Sequence, residues 1–304
     1  AWIMVADSRG ARRAPDPIGL LLVAIAVVGV NTALLNGAGW GWLSAPTLGA
    51  AGVGLVAAGA LIVWETRTSA PFLQLRQFVR RAFLANTLAG AAAWFAIFAV
   101  DIYTSLYLQK VLGARAVMAG LALAASGVTG GLAGPTVGRA SSRIGRDRLL
   151  VASMIAMSVL LIPWVAVSVR WPLWSMVLLL AALGVPFTYV LALSAAGAMG
   201  GLPAEQAGVA AATFNTVRQI GSSLGVALPA AALVSVAGAG AVQIPASRLL
   251  QEAFAAAFLA RAGAFALATI AVIVVLLWPR PRSAATLPLR AGSPLTTANE
   301  EVLP

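Results

Sequence analysis

Charged residues inside apolar runs are the positions of this sequence best placed to do chemistry. Asp101 lies about 28 Å along a helix that would start at Ala82. An ionised acid in the bilayer core costs about 2.5–3.5 kcal/mol, so a partner or a water-filled cavity is expected there. Trp94, Phe98 and Ser105 share its face at helical spacing. An acid among aromatic rings suits a lipophilic cation and can exchange protons. The alternative is that Asp101 faces an outer vestibule or caps a loop.

Arg218 is a second charge within an apolar run, about 17 Å along a helix that starts at Ala207. Its guanidinium could hold the carbonyls of a broken helix, reach a lipid phosphate or pair with an acid. A structural or gating role is favoured over contact with a substrate. An ion pair with Asp101 would have to bridge a depth difference of about 10 Å. The amides of Asn215 and Gln219 are candidates to line a cavity beside it.

The residue types that the sequence lacks exclude several kinds of site. No cysteine and no histidine occurs among the 304 residues, which excludes imidazole and thiolate metal sites, disulfides and Ser–His nucleophiles. Lys110 is the only lysine, and no Gly-x-x-x-x-Gly-Lys phosphate loop is present. We therefore expect no metal and no cofactor. An intramembrane enzyme is the weakest alternative, because no pair of intramembrane carboxylates is available for acid–base catalysis.

Composition indicates that transmembrane helices position these charges. Hydrophobic residues make up 61% of the chain and charged residues 10%, against about 25% charged residues in an ordinary soluble domain. A helix needs about 20 apolar residues to cross roughly 30 Å of hydrocarbon, and lipid favours helices because their backbone groups are paired internally. The sequence predicts eight spans: 18–35, 45–64, 82–108, 117–137, 149–169, 173–199, 207–237 and 253–278.

The basic residues predict the orientation of these spans. Of the 20 lysines and arginines, 14 fall on one side of the membrane, 5 on the other, and Arg218 lies within a span. Because cytoplasmic loops carry the basic excess, both termini of this multi-pass cell-membrane protein are predicted to be cytoplasmic. That side holds a linker (1–17), a basic loop (65–81) and a disordered tail (279–304). Among the outer five, Arg261 is expected to extend its guanidinium to the outer surface. The chain has a net charge of +11, which could suggest nucleic-acid binding. Because the basic residues lie in short clusters between apolar runs, they are interpreted as determinants of membrane topology instead.

A glycine-bounded basic segment joins the fourth and fifth predicted spans. It is predicted to be a tight turn, Gly138-Arg139-Ala140-Ser141-Ser142-Arg143-Ile144-Gly145-Arg146-Asp147-Arg148. Small residues let helices approach closely, and arginines can meet lipid phosphates, helix C-termini or acids of a neighbouring half. The segment resembles the signature loop of the major facilitator superfamily, Gly-x-x-x-Asp-Arg-x-Gly-Arg-Arg, which helps to lock one conformation of the transport cycle. Gly138, Arg143, Gly145 and Arg146 match it, whereas Ser142 replaces the aspartate.

Two other segments are similar to the fourteen-span drug:proton antiporters of that superfamily. Residues 107–113 and 119–121 are similar to a helix end, an outer loop and the start of the next helix, and residues 208–210 and 215–227 to the penultimate helix. The resemblance implies an all-α integral membrane fold. Two central helices (18–64) would precede the six-helix C-terminal transporter domain (82–278).

The resemblance covers only the last eight of fourteen helices. The chain also begins at Ala1 rather than at a methionine, and we expect a fragment that lacks the N-terminal six-helix half. The antiporter motif of the family's fifth helix would then be absent. Gly130-x-x-x-Gly134-Pro135 superficially imitates that motif and is interpreted instead as close helix packing and a kink.

The function that the resemblance implies is secondary transport, with proton-coupled efflux of drugs or other lipophilic compounds by alternating access. The expected partners are the lipid bilayer, a small lipophilic or cationic substrate, protons and the missing half. The alternative is a non-transporting membrane scaffold or the relic of a truncated transporter gene. In that case Asp101→Asn would leave every phenotype unchanged.

Overall fold

All regular structure is helical in the residues that the computed structural model describes, 16–68, 75–166, 171–200, 204–237 and 248–277. Within these ranges, eight helical stretches are long and apolar enough to cross a membrane. The all-α membrane fold is thereby confirmed. The predicted disordered tail and all but the last two residues of the predicted linker lie outside the described residues.

The described ranges contain nine α-helices, of which α4 and α5 form one stretch of membrane-spanning length. In chain order they are α1 (Pro17–Trp40), α2 (Ala45–Arg67), α3 (Arg81–Lys110), α4 (Ala116–Ala133), α5 (Val137–Ile144), α6 (Arg146–Leu161), α7 (Leu173–Met199), α8 (Ala204–Ala237) and α9 (Arg248–Leu277). Short 3₁₀ turns occupy Leu75–Val79, Gly134–Thr136 and Pro163–Ala166.

Prolines account for two differences from the predicted spans. The fourth predicted span, 117–137, lies within the stretch Ala116–Ile144, but α4 itself ends at Ala133 and a 3₁₀ turn containing Pro135 follows. The fifth was expected over 149–169, of which 167–169 lie outside the described residues; α6 ends at Leu161, just before the turn that starts at Pro163. Proline has no N–H to continue the helical hydrogen bonds, and the residues before these two prolines, Gly134 and Ile162, keep helical backbone angles.

The predicted turn at 138–148 is wrong for most of its length. Helix α5 extends to Ile144, and α6 begins at Arg146, so a single residue separates two helices. That residue, Gly145, has φ of 91°, which lies in the left-handed region that favours glycine. Its N–H donates to the Ser141 carbonyl at 3.0 Å and its carbonyl accepts from the Leu149 N–H at 3.0 Å, so both helix ends are capped.

Helices α1 and α2 form a hairpin in backbone contact. A Cβ atom on Gly29 would lie 2.7 Å from Gly54 Cα, so only glycine allows this approach. At the N-terminal end of α1, Asp16 Oδ1 accepts from the Gly19 N–H at 2.9 Å and from Trp64 Nε1 at 3.1 Å, which joins both helices. The hairpin packs against the remaining helices mainly through the contact of α1 with α8.

Helix α3 lies at the centre of the other helices and packs against α7, α8 and α9. Its contact with α8 depends on glycine, since Cβ atoms on Gly221 and Gly225 would collide with the Ala91 and Phe95 carbonyl oxygens. Across the same interface, the Tyr103 hydroxyl donates to the Val226 carbonyl at 2.6 Å. Residue numbers rise together on both helices, so α3 and α8 run parallel. Small residues permit such contacts where no hydrophobic effect drives helices together.

A second glycine contact joins α4 to α7. A Cβ on Gly130 would lie 3.0 Å from the Gly184 carbonyl oxygen, and one on Gly184 would collide with the Ser126 carbonyl. The Thr129 hydroxyl donates to the Ala181 carbonyl at 2.6 Å in the same place. The helix is interrupted four residues beyond Gly130. The close packing expected of the 130–135 motif is therefore present at Gly130, whereas Gly134 has open space around it, and the expected kink stays a prediction.

Candidate functional site

One face of α3 carries the four residues predicted to meet a substrate or a proton. Between Ala92 and Thr104, only Trp94, Phe98, Asp101 and the adjacent Ile102 are partly exposed, and Ser105 follows on the same face. All other residues of that segment are buried in the bundle. Helical spacing therefore leaves one aromatic and acidic strip of α3 open, which we call the α3 strip (Trp94, Phe98, Asp101 and Ser105).

Three aromatic rings lie together at the N-terminal end of this strip, those of Trp94 and Phe98 and that of Phe187 on α7. The ring centroids of Trp94 and Phe98 are 5.3 Å apart with a tilt of 34°. Phe187 of α7 meets Trp94 edge to face at 6.4 Å. It directly follows Pro186, which lies inside α7. Such offset and edge-on geometries are the favourable ones for aromatic pairs. Phe187 was not among the predicted site residues, and only the packing of α7 on α3 reveals its place.

Arg218 of α8 lies over the face of Trp94. Its Cζ atom is 4.4 Å from the Trp94 ring centroid and 5.9 Å from that of Phe214, one helical turn earlier on α8. Both distances are within the range of a cation–π interaction. The Arg218 Nε atom is buried and has no hydrogen-bond acceptor among the described residues. Ring faces hold this guanidinium, rather than the carbonyls or the acid considered from sequence.

Asp101 has no ion pair or hydrogen bond to any residue of the described ranges, and the pair considered with Arg218 is not formed. The helix register explains why. Gly221 lies against Ala91, so Arg218 is level with about Leu88. Thirteen residues then separate that level from Asp101, which is about 20 Å along α3. An arginine side chain is too short to cross that distance.

Polar groups continue the open surface along both helices. On α3, the Gln109 amide donates to Ser105 Oγ at 2.9 Å, so this serine already has a partner one turn away. On α8, Asn215 and Gln219 are exposed and lie one turn apart beside Arg218. The two open surfaces meet where Arg218 covers Trp94. This arrangement could stack a planar lipophilic molecule on aromatic faces and attract a cation to a carboxylate.

The signature-like segment lies away from the α3 strip. Arg146 donates through Nε and Nη2 to Asp147 Oδ1, at 3.1 and 3.0 Å, and both side chains are partly exposed. The Arg146 Nη1 atom also lies near Gly200, the residue that follows α7. It is 3.3 Å from the position that a Cβ atom on Gly200 would occupy. Gly138 and Arg143 are exposed on α5. Because Gly197 contacts Asn86, eight residues before Trp94, this region is about 12 Å along α3 from the aromatic rings.

Arg261 contradicts its sequence prediction. It was expected to extend to the outer surface, but its exposed fraction is 0%. Its Cζ atom lies 4.9 Å from the Phe258 ring and 5.7 Å from the Trp164 ring. Phe254 and Phe258 precede Arg261 by seven and three residues and so share its face of α9, and both are buried. That spacing was the sequence signal that Arg261 faces the bundle interior rather than the lipid.

Comparison with known proteins agrees with this architecture. A model of the Major Facilitator Superfamily matches residues 17–226. The chain is 28% identical over 226 residues to the methylenomycin A resistance protein of Streptomyces coelicolor, covering 74% of this chain and 47% of that protein.

Two further relatives have similar names and coverage. The multidrug export protein EmrB of Escherichia coli is 27% identical over 232 residues, covering 73% of this chain and 44% of the relative. The methyl viologen resistance protein SmvA of Salmonella typhimurium is 28% identical over 203 residues, covering 66% and 40%. The chain thus spans less than half the length of each of these curated relatives.

Proposed function

The chain belongs to the major facilitator superfamily, and we propose that it forms the six-helix carboxyl-terminal domain, preceded by two further helices, of a transporter that exports lipophilic cations from the cell. In this proposal α1 and α2 are the two additional helices and α3–α9 form the transporter domain. The protein lies in the cell membrane with both ends of the chain on the cytoplasmic side.

The α3 strip is the observation that carries this proposal. It leaves the aromatic pair Trp94 and Phe98 and the unpaired carboxylate of Asp101 partly exposed on α3. The other faces of this segment of α3 are buried. A lipophilic cation would stack on Trp94 and Phe98 and place its charge toward Asp101, which lies three residues beyond Phe98. Both attractions are strong where water is scarce.

Arg218 adds a means to release the substrate. Its guanidinium already covers one face of Trp94, so a bound cation and Arg218 would compete for aromatic surface. Protonation of Asp101 would remove the charge that favours the substrate. Exchange of a proton for a cation at this carboxylate is the coupling that we propose, with the opposite six-helix half closing the cavity by alternating access.

The names of the relatives support the proposed class of substrate. The matched proteins of Escherichia coli and Salmonella typhimurium are named for multidrug export and for resistance to methyl viologen, an organic dication. A resistance role for this chain rests on that likeness together with the chemistry of the α3 strip.

The test uses drug-sensitive cells that express the complete reading frame containing this chain. We expect lower accumulation of methyl viologen than in empty-vector cells, and loss of the difference when a protonophore collapses the proton gradient. Asp101→Asn should weaken resistance to methyl viologen more than resistance to a neutral lipophilic compound. Glu252→Gln, which neutralises an exposed acid of α9, is the matched control and should change neither.

Three results would count against parts of the proposal. Equal loss for cationic and neutral compounds would remove the charge-recognition role of Asp101. Efflux that survives the protonophore would remove proton coupling. Unchanged accumulation with the intact reading frame would favour a non-transporting membrane protein.

A further inference from the structure

A second group of buried polar side chains lies around the ring of Phe258, on a different face of α3 from the α3 strip. Tyr107 of α3 and Trp164 of the turn after α6 have ring centroids 6.0 and 5.8 Å from that ring. Arg261 of α9 places its guanidinium 4.9 Å from it. The exposed fractions are 0% for Arg261 and Trp164 and 1% for Tyr107. Side chains from three separate segments of the chain thus surround the Phe258 ring, and the guanidinium beside that ring is fully buried.

These groups are hydrogen-bond donors without acceptors. Among the described residues, no partner exists for Nε, Nη1 or Nη2 of Arg261, for Nε1 of Trp164 or for the hydroxyl of Tyr107. A guanidinium and an indole N–H can only donate. No acidic side chain of the described ranges forms an ion pair with Arg261. The cluster therefore has an excess of donors and of positive charge.

The burial of Arg261 excludes the usual way in which an arginine in a membrane-spanning helix is stabilised, which is to extend its guanidinium to water or lipid headgroups. Its exposed fraction is 0%, so the surrounding helices enclose the side chain and it reaches neither bulk water nor lipid headgroups. A charge within a membrane must be paired or hydrated. The two aromatic faces attract the cation but accept no N–H in the plane of the guanidinium. Water would accept hydrogen bonds but leave the charge unbalanced.

We propose that Arg261, Trp164 and Tyr107 form a buried site for a small monovalent anion, with chloride as its abundant physiological occupant. The anion accepts hydrogen bonds from the guanidinium, with the indole N–H and the phenol as the other available donors, and neutralises the cation. A site built around a guanidinium and an indole N–H repels metal cations and does not favour neutral molecules. A bound anion would also join α3, α9 and the turn after α6. This inference does not depend on the transport cycle proposed above.

The experiment measures Tm of the purified chain in detergent as chloride replaces gluconate at constant ionic strength. We expect Tm to rise by several degrees and to saturate, as ligand binding to the folded state requires. Arg261→Gln should abolish the chloride-dependent rise. Trp164→Phe, which keeps a ring but removes the N–H, should weaken apparent chloride affinity about tenfold. Arg218→Gln, at an arginine in the interior of α8, should retain the rise.

A second measurement decides the matter if Arg261→Gln fails to fold. Crystals of the unaltered chain grown in bromide should show an anomalous peak within hydrogen-bond distance of the Arg261 guanidinium. The proposal is overturned by equal Tm in chloride and gluconate, by a rise that persists in Arg261→Gln, or by bromide crystals without that peak.

Discussion

Aromatic faces, rather than carboxylates, contact Arg218 and Arg261, which lie in the interiors of α8 and α9. Arg218 lies over Trp94, and Arg261 lies over Phe258 and Trp164. Ring faces stabilise a cation without adding a second buried charge, which membrane interiors make costly. The two sites differ in access, because Arg218 is partly exposed beside the α3 strip and Arg261 is fully enclosed. Of these two arginines, only Arg218 is accessible from outside the bundle.

The contact between Arg218 and Trp94 can be measured by a double-mutant cycle. We expect Trp94→Leu and Arg218→Met to show a coupling energy of about 1 kcal/mol, because the ring and guanidinium are close and partly desolvated. The measurement is the free energy of unfolding of the purified chain in detergent. Trp40→Leu, at an exposed ring on α1, should add to Arg218→Met without coupling. Full additivity of the Trp94 and Arg218 effects would disprove the contact.

At the scale of elements, glycine has two distinct uses in this chain. Gly221, Gly225 and Gly184 permit helices to meet at their backbones, and a side chain at any of them would collide with a neighbouring carbonyl. Gly145 instead supplies a backbone angle, with φ of 91° between α5 and α6. Gly138 serves neither use, because it lies within α5 with open space around its Cα. The two glycines of the signature-like segment therefore have different structural roles.

Matched alanine substitutions distinguish these roles. We expect Gly145→Ala to destabilise the chain by about 1–2 kcal/mol, because an L-residue is strained in the left-handed region. Gly138→Ala should be neutral or stabilise it by up to about 1 kcal/mol, since alanine is the better helix former. Thermal unfolding of the two variants beside the unaltered chain gives the comparison. Equal destabilisation by both changes would mean that the break between α5 and α6 does not depend on the Gly145 backbone angle.

At the scale of the whole molecule, the topology predicted from the basic residues can be compared with the directions of the packed helices. The described chain contains eight stretches able to cross a membrane. Helices α3 and α8 run parallel in contact, as the three membrane-spanning stretches between them in the chain require. Orientation relative to the cytoplasm stays a prediction that rests on the basic residues.

Single-cysteine labelling tests that orientation without background, because the chain has no cysteine. Ser142→Cys, at an exposed position of α5, should be protected from a membrane-impermeant maleimide in intact cells and react after permeabilisation. Arg115→Cys, exposed just before α4, should react in intact cells. Thr66→Cys, near the end of α2, should behave as Ser142→Cys does. Labelling of Ser142→Cys and Arg115→Cys from the same side would contradict the predicted topology.

Properties that depend on short stretches of sequence were predictable. Apolar length sets whether a helix can cross the membrane, so eight predicted spans correspond to eight observed stretches. The Trp94–Ser105 face followed from helical spacing, although its role in transport stays a prediction. Local sequence did not predict the helix over residues 138–144. Ala140, Ser141 and Ser142 fit a helix as readily as a turn, so residue types alone could not distinguish the two.

Contacts between distant segments could be decided only by the tertiary structure. Whether an intramembrane arginine reaches lipid headgroups or is enclosed depends on which helices cover its face, and hydrophobicity is similar on all sides of these helices. Packing of α3, α9 and the turn after α6 encloses Arg261, and the register of α3 against α8 brings Arg218 to Trp94 and away from Asp101. Membrane length and side preference are properties of each segment, whereas burial and pairing of a charge belong to the assembled bundle, because both require neighbours that the segment does not contain.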